Sequence, residues 1–277
     1  MGYIDAHVHV WTDGLEAYPL APGYTVEQMK PPTFTPQELL AHAEPCGVDR
    51  IVLIQMSFYG TDNRYMLDTI AGRPETFRGV AVVDHTRADL LDEISSLRAA
   101  GVRGFRVYQW AGGDWPPMDA DEYRPLCGLA AELGMAVCPL LDPPLLPGVD
   151  RAARRFPRTT FVIDHLARIG ARRPIMPADV DALCALAKHP NCLVKVSAFY
   201  ALGEGKPPHD DLLPLIRQVW EAFGADRLMW ATDCPYQVQD ETYEESLALV
   251  RDRLPFLIDR DRAAILEHTA ARVFFGD

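Results

Sequence analysis

Two histidines one residue apart, His7 and His9, lie in the opening segment Ile4-Asp5-Ala6-His7-Val8-His9-Val10. Residues two apart on an extended strand share a face, so both imidazoles point the same way. A pair of neutral imidazoles suits a divalent metal, zinc above all, with Zn–N distances of roughly 2.0–2.1 Å. Near the far end of the chain, Ala231-Thr232-Asp233-Cys234-Pro235 closes an apolar run on a carboxylate. Such an aspartate can ligate an ion, act as general base on a water, or do each in turn. The plainer alternatives are polar filling of a core for the histidines and a turn aspartate before Pro235 for Asp233. Side-by-side buried imidazoles need partners, which favours the site reading.

Further residues could complete such a site. Val162-Ile163-Asp164-His165-Leu166-Ala167-Arg168 ends another apolar run. His165 could orient water or polarise a carbonyl, and Arg168 could grip a carboxylate through paired hydrogen bonds. A core histidine and a surface arginine are the competing readings. In Gly104-Phe105-Arg106-Val107-Tyr108, Arg106 and Tyr108 share a face. Facing inward, Arg106 is a second anion contact; facing outward, it lies beneath a helix, and spacing leaves both open. Lys195 is ionisable within an apolar strand, so it is a buried structural partner or a cation lining the site. Trp110, Trp115 and Tyr236 stand where they could line a pocket. His85 follows a strand without other support, and His42, His189, His209 and His268 read as surface or packing residues. The chain has no Gly-x-Ser-x-Gly elbow, which leaves a serine-hydrolase reading without support.

These residues need elements to bring them together. Apolar, β-branched runs at 3–10, 50–57, 77–84, 102–108, 135–141, 160–165, 193–198 and 227–232 predict eight buried parallel strands. Helical patterns occupy 36–46, 86–100, 121–133, 178–188, 212–223 and 242–251, with a closing helix at 260–274. Thr35 and Gly47 are placed to cap the first of these. Eight strand–helix units in order predict a single-domain (β/α)8 TIM barrel, an α/β fold whose strands close without edges. No glycine-rich phosphate loop follows the first strand, which argues against a dinucleotide fold. His7, His9, Asp233 and His165 would then all lie at the C-terminal mouth, where barrel active sites sit.

Composition bounds the partners. The formal net charge of −12 disfavours nucleic acid and anionic membranes and leaves a small-molecule substrate. Six cysteines without a Cys-x-x-Cys pair, most of them in apolar runs, predict reduced thiols in a cytoplasmic protein. No window is long and apolar enough for a membrane span. Association into a homo-oligomer is left open.

The ordered set of segments resembles the amidohydrolase superfamily, in its amidohydrolase-related (amidohydrolase 2) branch. Asp5-Ala6-His7-Val8-His9-Val10-Trp11 with Tyr18-Pro19 is similar to the start of its sugar-lactone and pyrone-dicarboxylate lactonases. Gly104-Phe105-Arg106, Ile163-Asp164-His165-Leu166, Lys195-Val196-Ser197 and Trp230-Ala231-Thr232-Asp233-Cys234-Pro235 continue the match nearly to the C-terminus. The resemblance implies a lactonase in which Asp233 is the base, His7 and His9 are metal ligands or water-orienting groups, and His165 polarises the carbonyl. It implies that Arg168 clamps a substrate carboxylate. Many superfamily members carry a metal-binding histidine at the end of strand five, where this chain has Val137-Cys138-Pro139-Leu140. That departure weakens the alternative of a metal-dependent decarboxylase of an unsaturated acid and makes the ion, zinc or another, optional. Cys138 reads as a packed thiol rather than a zinc ligand. A barrel that binds a small ligand without turnover is the alternative of another class.

Overall fold

The computed structural model describes residues 2–109, 116–172 and 174–276. Its strands are β1 (Tyr3–Val8), β2 (Val48–Ile54), β3 (Phe77–Ala81), β4 (Val102–Gln109), β5 (Ala136–Leu141), β6 (Thr160–Ile163), β7 (Cys192–Val196) and β8 (Leu228–Trp230). Neighbours in sequence pair in parallel, in the order β1 to β8. Past the end of β8, Val8 and Cys234 form a parallel bridge. There Asp233 N–H donates to His7 O at 2.9 Å and His9 N–H to Cys234 O at 2.8 Å. These bonds close the sheet into the expected barrel and bring the chain's first and last site segments together.

Helices α1 (Pro36–Ala43), α2 (Arg64–Gly72), α3 (Leu90–Ala99), α4 (Arg124–Leu133), α5 (Leu146–Arg155), α6 (Pro177–Cys184), α7 (Leu213–Phe223) and α8 (Tyr243–Asp252) form the connections, and α9 (Asp259–Ala263) opens the C-terminal segment. Thr35 caps α1 reciprocally with Glu38, each accepting from the other's backbone N–H. The sequence patterns omit α2 and α5. In α5, Pro147 and Gly148 look like breakers, but a proline is tolerated in a helix's first turn because that N–H has no partner in any case. The strand ends also differ from the periodicity. Both β6 and β8 stop two residues early, where the backbone turns out of the ladder to present the site.

The barrel has an inner and an outer core. Inside, Val52, Val80, Ala136, Val162 and Met229 pack together above Phe274, which closes the base. Outside, residues such as Val8, Leu53, Phe105 and Trp230 pack against the helices. On β1 the phase changes: Ile4 and Ala6 belong to the inner core, Val8 to the outer, and the pairing with β2 shifts between Asp5 and Val8. This bulge turns His7 inward beside Ala6, while Asp5, alternating with Ile4 and Ala6, faces the other side. There the Asp5 carboxylate accepts from Thr232 Oγ1 (2.5 Å), Tyr243 OH (2.6 Å) and the N–H groups of His7 and Thr232 (3.1 Å each). Four donors thus pin the bulge of β1 to the residue preceding Asp233.

All six cysteines are free thiols, with Cys46 and Cys184 only half-buried. His209, expected on the surface or in packing, is fully buried against Glu241 at 2.6 Å. No helix among the described residues is long and apolar enough to cross a membrane.

Candidate active site

Backbone strain marks the barrel mouth. Among the described residues, seven non-glycine residues have positive φ, and six of them stand at the ends of three successive strands: His165 to Arg168 after β6, Ala198 after β7 and Asp233 after β8. Each such residue costs on the order of 1 kcal/mol, and strain of this kind clusters at functional sites. The run His165-Leu166-Ala167-Arg168 has φ of 53°, 50°, 54° and 56°, a left-handed turn. Its roughly three-residue period sets His165 and Arg168 on one side. Both line a cavity of about 390 Å³, while Leu166 and Ala167 pack in the core.

Four side chains converge at the base of that cavity. Oδ1 of Asp233 lies 3.1 Å from His9 Nε2, 3.5 Å from His7 Nε2 and 3.8 Å from His165 Nε2. Its Oδ2 accepts from Tyr200 OH at 2.7 Å. Burial alone would raise the Asp233 carboxyl, but the facing His165, His9 and His7 hold it well below the usual carboxylate range. Burial lowers His165 to about 4 and, with the Lys195 ammonium beside it, pushes His7 well down, so both are neutral at pH 7. Behind this front lies a second group. His7 Nδ1 faces Lys195 Nζ at 3.1 Å and Asp164 Oδ1 at 3.4 Å, and Lys195 pairs with Asp164 at 3.0 Å. His9 Nδ1 donates to Ile54 O at 2.8 Å, and His165 Nδ1 meets Ser197 Oγ at 2.9 Å.

The cavity wall carries the anion-binding candidates. Arg106 faces inward, stacked on the Tyr108 ring at 5.0 Å, with its Nε 3.9 Å from Asp164. Burial works against its charge, but Tyr108, Asp164 and Asp233 outweigh it. Arg168 reaches the cavity and pairs with Asp142 at 3.2 Å. Tyr236 also lines it. Trp110 and Trp115 lie outside the described residues.

His7, His9, Asp233, His165, Arg106, Tyr108 and Arg168 therefore meet at this mouth or line its cavity. The structure adds Asp164, Ser197 and Tyr200. Asp164 carries the same signal as Asp233, a carboxylate ending an apolar strand. Tyr200 carries none, because it sits on a loop without periodicity.

The donors suit a divalent ion. His7, His9 and Asp233 are buried and close enough to share one, as are His7, Asp164 and His165. Ile54's carbonyl fixes the Nδ1–H of His9, so its Nε2 turns either a lone pair for a cation or an acquired proton toward Asp233. His7 Nε2 is a buried nitrogen without a hydrogen bond of ordinary geometry. Two imidazoles and a carboxylate are a donor set typical of zinc. Cys138 sits deeper on β5, and burial pushes its thiol up to about 12, which keeps it a packed thiol.

The sequence pattern of the amidohydrolase family matches residues 4–276. The chain is 33% identical over 242 residues to an L-fucono-1,5-lactonase of Burkholderia ambifaria, covering 84% of this chain and 80% of that protein. It is 32% identical over 250 residues to a 2-pyrone-4,6-dicarboxylate hydrolase of Comamonas testosteroni, covering 85% and 77%. A crystal structure from Pseudomonas putida assigned as a 2-pyrone-4,6-dicarboxylic acid hydrolase superposes with a TM-score of 0.83 at 28% identity, covering 99% of this chain and 97% of that one.

Proposed function

The chain belongs to the amidohydrolase family, and on that premise we propose that it is a lactonase opening a small, carboxylate-bearing lactone with water. The observation that carries this reading is the convergence of three imidazoles on Asp233 beneath a cavity walled by Arg106 and Arg168. The curated relatives that act on lactones support it.

In this mechanism Asp233 takes a proton from a water held at the cavity base as the water oxygen bonds to the lactone carbonyl carbon. The negative charge that develops on the carbonyl oxygen is met by Nε2–H of His165, whose Nδ1 accepts from Ser197. Collapse breaks the ring C–O bond, and Asp233 returns the proton to the leaving alkoxide, giving the hydroxy acid. A carboxylate held far below neutral is always ionised but is a weak base, so polarisation of the carbonyl by His165 and Arg106 must supply much of the rate. Arg168 and Tyr108 bind the substrate's carboxylate. A divalent ion bound by His7, His9 and Asp233 would supply Lewis-acid activation of water or carbonyl. The acidic chain and the small cavity of about 390 Å³ fit a cytoplasmic enzyme for small molecules rather than for nucleic acid.

A panel of sugar-1,5-lactones and pyrone dicarboxylates, with product analysis, tests the proposal. Asp233→Asn should lower turnover by about a thousandfold or more while circular dichroism stays unchanged. Full turnover in that variant, or release of CO2 instead of a hydroxy acid, would overturn it.

A further inference from the structure

The three imidazoles at Asp233 are backed by three different kinds of group. Behind His9 is the Ile54 carbonyl, 2.8 Å from Nδ1, which can only accept; His9 therefore carries its δ hydrogen. Behind His165 is the Ser197 hydroxyl at 2.9 Å, which can donate or accept. Behind His7 is the Lys195 ammonium, 3.1 Å from Nδ1, which can only donate. Asp164 also approaches His7 Nδ1, but at 3.4 Å, and the same oxygen is 3.0 Å from Lys195 Nζ. The lysine has the closer contact with both.

We infer that Lys195 is a positioning residue that holds His7 in the tautomer with a bare Nδ1 and a hydrogen on Nε2. In that form His7 is a donor toward Asp233 Oδ1, 3.5 Å away, and has no lone pair on the side where an ion would sit. A histidine that ligates through Nε2 is normally backed by an acceptor, as His9 is. His7 is backed by a cation. To ligate, it must give up the Lys195 contact and turn its Nδ1–H to Asp164.

The surroundings make that exchange costly. Lys195 is fully buried, and the Phe274 ring lies 5.7 Å from its ammonium at the barrel base, so it has nowhere wet to retreat. The cluster also balances without an ion: the carboxylates of Asp164 and Asp233 face the cations of Lys195 and Arg106. A divalent ion would add two positive charges to buried surroundings already neutral. The chain's own lysine thus competes with metal for His7, and the site holds a divalent ion weakly.

The inference rests on the reading of His7, His9 and Asp233 as one site, but its readouts do not need turnover. Ring-¹⁵N spectra of the whole protein at neutral pH, with His7 assigned by difference against His7→Gln, report the tautomer directly. The expected result is an unprotonated Nδ1 and a protonated Nε2 at His7. Calorimetric titration with ZnCl2 after chelator treatment then compares the natural chain with Lys195→Met, which keeps the volume and removes the donor. Asp164 should then accept from His7 Nδ1–H, and Zn2+ should bind at least about tenfold more tightly. A protonated Nδ1 at His7 in the natural chain, or no tightening in a folded Lys195→Met, would overturn the inference. If that variant does not fold, the spectrum of the natural chain decides alone. Failure to open any lactone would sink the lactonase reading and leave these two results untouched.

Discussion

At the scale of single residues, environment rather than type sets the chemistry. His165 has an ordinary side chain, yet burial lowers it to about 4, so it stays neutral where an exposed histidine would charge. The sign for stability follows. Because its folded value lies below its unfolded one, its contribution is fully present above about pH 6.5 and is lost as pH falls toward 4. The loss amounts to about 3 kcal/mol. Denaturant midpoints measured from pH 7.5 to 4.5 should show it, and His165→Gln should flatten the profile; an unchanged slope would contradict the burial argument. Tyr200 makes the second residue-scale prediction. Its hydroxyl donates to Asp233 at 2.7 Å, a hydrogen bond to a charge worth roughly 1.5–3 kcal/mol. If that bond holds the carboxylate in its working orientation, Tyr200→Phe should cut kcat about tenfold or more with the fold intact. A kcat equal to that of the natural chain would remove Tyr200 from the site.

At the scale of elements, the site is made where strands stop being strands. The left-handed turn after β6, the left-handed Ala198 after β7 and the left-handed Asp233 after β8 aim side chains that a continued strand would spread over two faces. The bulge in β1 does the same for His7, and the four donors on Asp5 hold it. Strain of this kind is testable where the side chain is small. Ala198 has φ 57°, a region glycine enters without a Cβ penalty. Ala198→Gly should leave stability unchanged or raise it by up to about 1 kcal/mol, since relief of strain offsets the added chain entropy. A loss of more than about 1 kcal/mol in chemical denaturation would mean that the position is not strained.

At the scale of the molecule, the barrel is a stack: Phe274 at the base, Lys195 above it, then His7 with Asp164, and the cavity on top. The C-terminal segment is thus structurally continuous with the site although it touches no substrate. Phe274 is fully buried, so Phe274→Ala should cost about 3–5 kcal/mol through the cavity it leaves. Thermal unfolding would register a large fall in Tm. A shift of only a degree or two would show that the base can collapse around the gap.

Much of this was legible in the chain. The eight strands follow from apolar runs of strand length, and parallel strands buried on both faces need little else to be recognised. His7, His9 and Asp233 were legible for a related reason: a polar group at the end of such a run has no place in the core and must be used. What the sequence could not determine was the direction of each side chain and its partners. A one-residue bulge or a left-handed turn reverses a face without changing the pattern that precedes it, as His7 and Arg168 illustrate. The contact of Lys195 with His7, 188 positions apart, exists only because the barrel closes, and so only the tertiary structure could set an ammonium rather than an acceptor behind that imidazole.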